Sequence, residues 1–272
     1  MMADLHPGER PRTWDVVRAA IKMIPLIIAL IVLAPLQWLA NLLRLKAISS
    51  RLPIAFHAIA LWCMGVRVRF EGEALAKGPV VLAGNHVSWL DIVMIGARGR
   101  FRFISKDDVA DWPVFGTLAR LQNTLFVSRT RRTDTGKMTD TMREALADGD
   151  RLVLFAEGTT SDGGQVLPFR PALFGALVDD AKDVMVQPFT IAYLRRDGLP
   201  ISRGQRATLG WYGDLDLLPS LLDIIHGGPL DVVMVLGKPV NVAEIGGRKR
   251  AAKAMEEDVR QTLAIKLRGR DS

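Results

Sequence analysis

Asn85-His86-Val87-Ser88-Trp89-Leu90-Asp91 sets a histidine and an aspartate five positions apart, directly after the apolar run Pro79-Val80-Val81-Leu82-Ala83-Gly84. Neutral imidazole takes up a proton readily near neutral pH, and a carboxylate on its other ring nitrogen fixes the tautomer and stabilises the cation formed. Such a pair can act as a general base on a substrate hydroxyl. Five positions do not stack two side chains on one face of an ideal helix. The pair therefore needs a loop that turns into a helix and folds the carboxylate back toward the ring. The spacing alone fits equally a histidine that caps a helix and an aspartate in the helix's first turns. His226 and Asp231 repeat it across Gly227-Gly228-Pro229-Leu230, which reads as a helix stop and a turn into a strand, so that pair is expected to be structural.

Two further stretches bear on chemistry. Leu154-Phe155-Ala156-Glu157-Gly158-Thr159-Thr160-Ser161-Asp162-Gly163-Gly164 is a strand end that breaks into a loop of glycines and hydroxyls. Glycines let backbone approach a ligand closely, hydroxyls and exposed amides donate hydrogen bonds, and Glu157 is placed to hold a substrate hydroxyl or to lock the loop. Asn123-Thr124-Leu125-Phe126-Val127-Ser128-Arg129 delivers an arginine at a strand end, suited to grip a phosphate or carboxylate with two hydrogen bonds. Arg131 and Arg132 read as a solvated basic loop.

The elements that must carry these residues are set by periodicity. Strands are expected at 80–83, 101–105, 124–128, 151–156, 185–192, 207–212 and 231–236, and helices at 89–97, 113–121, 137–147, 171–178, 217–225 and 251–267. Their alternation predicts an α/β fold, a mixed sheet flanked by helices, over residues 67–272. Before it, residues 23–43 hold no charge, and a helix of that length reaches about 30 Å, the thickness of a bilayer's hydrocarbon core. Pro25 and Pro35 are possible kinks, and both flanks are basic, which gives no orientation. The second apolar run, 52–66, is too short to span comfortably. Residues 1–66 are thus expected to form a membrane anchor of two apolar helices, near 20–43 and 52–66, seated in one face of the bilayer.

The 272 residues suffice for one substantial domain plus this anchor. A single cysteine, Cys63, excludes intrachain disulfides and a cysteine-rich zinc site, and its apolar surroundings mark it as a buried thiol. The net charge of +7 points to an anionic partner. Basic residues are scattered, aromatics do not interleave with them, and neither a phosphate-binding glycine loop nor a dinucleotide turn is present, which argues against nucleic-acid and nucleotide chemistry. His6 and His57 read as polar N-terminal and packed residues respectively.

Taken in order, Asn-His-x4-Asp, Phe126-Val127-Ser128-Arg129, Phe155-Ala156-Glu157-Gly158-Thr159 and Val186-Gln187-Pro188-Phe189 resemble the four blocks of the glycerolipid acyltransferase family, which includes 1-acylglycerol-3-phosphate acyltransferases. The resemblance covers residues 67–240. It implies transfer of a fatty acyl group from a thioester of acyl carrier protein or coenzyme A to the hydroxyl of a lyso-lipid, on the cytoplasmic face of the inner membrane, with no metal and no cofactor. On that match His86 is the base and Asp91 its orienting partner, while Arg129, Glu157, Gly158 and Thr159 shape the acceptor pocket. Lys106 resembles a family lysine that helps hold the acceptor headgroup. Direct attack by the acceptor hydroxyl agrees with the lack of a Gly-x-Ser-x-Gly elbow. Many relatives have proline and arginine where this chain has Ala156 and Thr160. Loss of that arginine favours a headgroup without phosphate, and Glu-Gly-Thr-Thr-Ser-Asp-Gly resembles the branch that acylates lyso-ornithine lipids. Lysophosphatidic acid stays open as the acceptor, alone or beside the aminolipid, as does a lipid-binding relative without catalysis.

Overall fold

The computed structural model describes residues 13–127, 132–177, 184–210 and 217–269. Its helices are α1 (Thr13–Leu42), α2 (Lys46–Ser49), α3 (Leu52–Met64), α4 (Leu90–Arg98), α5 (Phe115–Leu121), α6 (Arg132–Ala147), α7 (Arg203–Leu209), α8 (Leu217–His226), α9 (Val242–Ile245) and α10 (Arg248–Leu267). Its strands are β1 (Val66–Gly72), β2 (Val80–Gly84), β3 (Arg102–Lys106), β4 (Leu125–Val127), β5 (Arg151–Phe155), β6 (Met185–Arg196), β7 (Leu199–Pro200), β8 (Leu230–Leu236) and β9 (Val240–Asn241).

The strands form one mixed sheet in the order β1-β8-β6-β2-β5-β3-β4. β8 runs antiparallel to β6, while β6, β2, β5, β3 and β4 are mutually parallel and β1 is parallel to β8. Central β2 is buried at every position, as its unbroken apolar sequence requires of a strand covered on both faces. Side chains alternate between two cores. Val81, Ala83, Leu152, Leu154 and Val233 face the layer that holds Met142, Met255 and Val259, whereas Val80, Leu82, Val153, Phe155 and Tyr193 face the layer that holds Leu90, Met94 and Ile224. In α10, Met255, Val259 and Leu263 are all buried, so its period-four stripe is a packing face.

α1 continues through Pro25 and Pro35 without interruption. Ala19–Leu42 and Lys46–Met64 are each long and apolar enough to cross a membrane by length and composition. One face of α1 leaves Ile21, Ile24, Ile28, Ile31 and Trp38 exposed. The opposite side packs on α3 and is fastened to α2 and α5 by polar clasps. Gln37 Nε2 and Asn41 Nδ2 donate to Leu121 O at 3.2 and 3.0 Å, and Gln37 Nε2 also reaches Ser49 O at 3.0 Å. His57 is buried on α3, with Nε2 3.0 Å from Gln122 Oε1, and Cys63 is buried as a free thiol.

Some stretches depart from expectation: α6 already begins at Arg132, which reads as loop in the sequence, and Pro171–Leu177 winds as a 3-10 helix. Of the strand expected at 207–212, the described residues 207–210 form none. Arg203–Leu209 is helix α7, started by a capping box in which Ser202 Oγ accepts from Gln205 N and Gln205 Oε1 accepts from Ser202 N; 211 and 212 lie outside the described residues. The edge strand β1 was not expected, although Val66, Val68 and Phe70 alternate with Arg67, Arg69 and Glu71 as a half-exposed strand should.

Candidate active site

β2 and β5 are neighbours in parallel register, Gly84 opposite Phe155, so the loops that leave them emerge side by side at the same end of the sheet. In open parallel sheets that end is where ligands bind. Asn85 ties the first loop down. Its Nδ2 donates to Ile191 O at 3.0 Å, and its Oδ1 accepts from Ile191 N at 2.8 Å, which extends the contact with β6 past the last residue of β2.

The chain then turns into α4 and brings Asp91 back. His86 Nδ1 lies 2.8 Å from Asp91 Oδ2, and the same oxygen accepts from Val87 N at 2.7 Å and Ser88 N at 3.0 Å. The other oxygen, Oδ1, accepts from the Tyr193 hydroxyl at 2.7 Å. Asp91 is 0% exposed. A carboxylate without solvent needs donors on both oxygens, and here it has them. As acceptor, Asp91 selects the tautomer with the proton on Nδ1, leaving Nε2 with a lone pair for a substrate proton. The Phe155 ring stacks on the imidazole with centroids 3.7 Å apart and planes 14° from parallel, which restricts its rotation.

The second loop braces the first. Ser161 N and Oγ donate to His86 O at 2.8 and 3.2 Å, and His86 N donates to Glu157 Oε1 at 3.3 Å. Glu157 is buried, and that burial, opposed by backbone hydrogen bonds, pushes its carboxyl up to about 8. The neutral acid therefore predominates at pH 7. Gly158 adopts φ 69°, in the left-handed region, and a Cβ there would lie 2.9 Å from Arg170 Cδ. The backbone angle favours glycine, and an added methyl would also make the Arg170 side chain shift.

A cavity of about 720 Å³ opens beside this assembly. Its walls are mainly apolar: Leu26, Leu30 and Leu33 of α1, Phe56 and Ala60 of α3, Ile92 and Val93 of α4, and Leu221 and Ile225 of α8. His86, Trp89, Ser105, Lys106, Gly158, Thr159 and Thr160 add polar groups. A cavity of this size and composition suits a long aliphatic ligand presented to a reactive histidine.

Of the residues singled out in the sequence, His86, Lys106, Gly158, Thr159 and Thr160 thus share one cavity, with Asp91 directly behind His86. Glu157 is brought to the same place but points at the main chain of His86 and is absent from the cavity wall. Arg129 lies outside the described residues. Tyr193 and Phe155 join the site without having stood out in the sequence. Both sit in apolar strands where an aromatic ring reads as core.

An α/β enzyme with a paired histidine and aspartate beside a lipid-sized cavity is the class that fold and site define. The Acyltransferase family profile matches residues 66–192, from β1 into β6, and so contains all four blocks. The lyso-ornithine lipid O-acyltransferase of Brucella abortus is 44% identical over 245 residues, 88% of this chain and 91% of that protein. The lyso-ornithine lipid O-acyltransferase of Rhizobium meliloti is 38% identical over 259 residues, 93% of this chain and 88% of that protein. The crystal structure of the 1-acyl-sn-glycerophosphate acyltransferase PlsC from Thermotoga maritima matches with a TM-score of 0.65 over 95% of this chain and 99% of that one; at 21% identity this shows the shared fold. The chain belongs to the acyltransferase family, and it is an enzyme of acyl transfer.

Proposed function

We propose that this enzyme moves a fatty acyl group from a thioester carrier to the hydroxyl of lyso-ornithine lipid, giving ornithine lipid. The observation that carries the reaction is His86 set in the wall of an apolar cavity with Asp91 paired behind it. The lipid hydroxyl gives its proton to His86 Nε2 as its oxygen attacks the thioester carbonyl. The tetrahedral oxyanion collapses, the C–S bond breaks, and the leaving thiolate takes the proton from the imidazolium. Asp91 stabilises that cation throughout. The thioester is already activated, so the reaction as drawn calls on no metal, cofactor or covalent intermediate.

The acceptor rests on Thr160, uncharged at the cavity where many relatives carry arginine, and on the names of the two relatives above. A second reading has Lys106 in its favour, because a cation on the same cavity wall suits the phosphate of lysophosphatidic acid. Purified enzyme supplied with acyl carrier protein thioester and each acceptor in turn separates the two. Turnover of lyso-ornithine lipid is expected; turnover confined to lysophosphatidic acid overturns the aminolipid reading. Coenzyme A thioester in a parallel assay identifies the carrier.

The exposed apolar face of α1 supports seating on a membrane; that this is the inner membrane, with the sheet toward the cytoplasm, belongs to the same proposal. Because α1 also walls the cavity, it supports an anchor held in one leaflet, which would deliver the lyso-lipid directly from the bilayer. The expected outcome of a protease-protection assay is an N-terminus digested on the cytoplasmic side; protection there would mean a spanning helix.

A further inference from the structure

Tyr193 is buried on β6, 102 positions from Asp91, and its hydroxyl donates to Asp91 Oδ1 at 2.7 Å. The pairing of β6 with β8 is regular up to Tyr193 opposite Val232 and then shifts, so that Arg195 stands opposite Asp231. A bulge thus comes directly after Tyr193, and bulges beside active sites commonly re-aim a side chain. Arg206 Nε, from α7, donates to the main-chain oxygen of Tyr193 at 3.4 Å, at the bulge itself.

The two oxygens of Asp91 are unequally served. Oδ2 meets His86 Nδ1 and two backbone amides, whereas among the described residues Oδ1 has the Tyr193 hydroxyl alone. Without that donor a buried carboxylate oxygen is left bare, and the carboxylate gains reason to turn until its two oxygens divide the amides and the imidazole between them.

We propose that Tyr193 is a positioning residue for acyl transfer, holding the Asp91 carboxylate in the one orientation that aims His86 and setting how much negative charge faces the imidazole. This rests on the reading of His86 as the base. The titratable groups around Asp91 are His86 on its own loop, Tyr193 on β6 and Glu157 on the loop after β5, whose carboxyl Asp91 helps to push up through space. A phenol that merely found an acceptor in the core would stabilise the fold and leave the chemistry alone; a positioning phenol changes the pH profile.

In Tyr193→Phe the lost donor leaves more charge on Asp91, which favours the imidazolium and makes His86 more basic. kcat is expected to fall about tenfold, in keeping with one lost hydrogen bond to a charged group, with KM nearly unchanged. The acid limb of kcat/KM is expected to move to higher pH. The chain has two tyrosines, so in a Tyr212→Phe background 3-fluorotyrosine can enter at position 193 alone. Its more acidic phenol is a stronger donor, drains charge from Asp91 and moves the limb to lower pH relative to the unlabelled Tyr212→Phe enzyme. That opposite shift keeps the test decisive even if Tyr193→Phe folds poorly. Limbs that stay fixed, or that move together, overturn the proposal. An active His86→Ala enzyme would instead remove the base on which the proposal rests, whereas an inactive His86→Ala beside an unaltered Tyr193→Phe overturns only the role of Tyr193.

Discussion

The chain carries the His-x4-Asp spacing twice, and the two copies fold to different ends. His86 and Asp91 meet at 2.8 Å because the loop after β2 turns at once into α4, and the carboxylate returns to accept from the amides of Val87 and Ser88. His226 ends α8, and Gly227-Gly228-Pro229 then leads the chain into β8. There Asp231 pairs not with His226 but with Arg67 on the neighbouring strand β1, through Nε at 2.7 Å and a second nitrogen at 3.2 Å. The first copy is a buried carboxylate with four donors beside a cavity. The second is a surface ion pair that fastens an edge strand. Spacing therefore decides nothing. The element entered after the histidine decides, a helix start that curls back in one copy and a strand that runs away in the other.

The largest effects should separate the copies outright. His86→Ala removes the base and Asp91→Asn the charge behind it, and each is expected to lower kcat by about 10²–10⁴-fold. His226→Ala and Asp231→Asn should stay within about twofold, since neither lies at the cavity. Steady-state acyl transfer by the four purified variants makes the comparison. Loss of activity in His226→Ala would mean that the second copy is more than structural.

Next comes pH. In the folded protein burial pushes the Glu157 carboxyl up from 4.5 to about 8, so folding takes up a proton between those values. Glu157 thus favours the fold at low pH and costs stability increasingly as pH rises from about 4.5 to 8, with no further change above. Glu157→Gln, which still accepts from His86 N, removes that dependence. Its stability relative to the parent is expected to grow from pH 5 to 8, on the order of a few kcal/mol in all, while activity at pH 7 stays within about threefold. Melting temperatures across pH 5–9 test this; parallel curves for the two proteins would place an ionised carboxylate at Glu157. The second copy, held by an exposed arginine, has no such buried acid.

Glycines sharpen the contrast further. Gly158→Ala forces a side chain into the left-handed region and against Arg170, while Gly227→Ala pushes a methyl into the space of the Arg196 guanidinium and Asp223 O. Each is expected to cost about 1–3 kcal/mol in unfolding experiments. Only Gly158→Ala should also lower kcat, because only its loop braces His86 through Glu157 and Ser161. Equal losses of activity would mean that general loosening, not loop geometry, is what the enzyme feels.

How much of this the sequence disclosed depended on whether the signal was local. The alternating apolar elements announced the α/β layers, and β2, β3, β5 and β8 fell within a residue or two of expectation because buried strands are short apolar runs bounded by turns. His86, Asp91, Lys106 and the Glu157 loop were legible because each lies within a few residues of a strand end. Tyr193 was not, since its tie to Asp91 spans 102 positions and its phenol sits in a strand that reads as core. The strand expected at 207–212 weighed the apolar residues Leu209, Trp211 and Tyr212 above the start signal of Ser202 and Gln205, which wins because it satisfies two free amides at the helix entrance. The apolar N-terminus was legible as membrane-seeking, but hydropathy does not distinguish a face turned to lipid from one turned to a cavity, and α1 has both.

The smallest effect tests the second copy on its own terms. Arg67 is 62% exposed, so its two hydrogen bonds to Asp231 form in water's screening, and the double-mutant cycle of Arg67→Ala with Asp231→Ala is expected to give a coupling of about 0.2–1 kcal/mol. That coupling should shrink in 1 M salt, where charges are screened within about 3 Å. The pair's contribution is then register rather than strength. It joins residues directly opposite in the β1–β8 ladder, and β1 is the edge strand that receives the chain from the apolar α3. A coupling above about 2 kcal/mol that survives salt would show that the surface copy is held as firmly as a buried one, and the contrast between the two His-x4-Asp sites would then rest on position at the cavity alone.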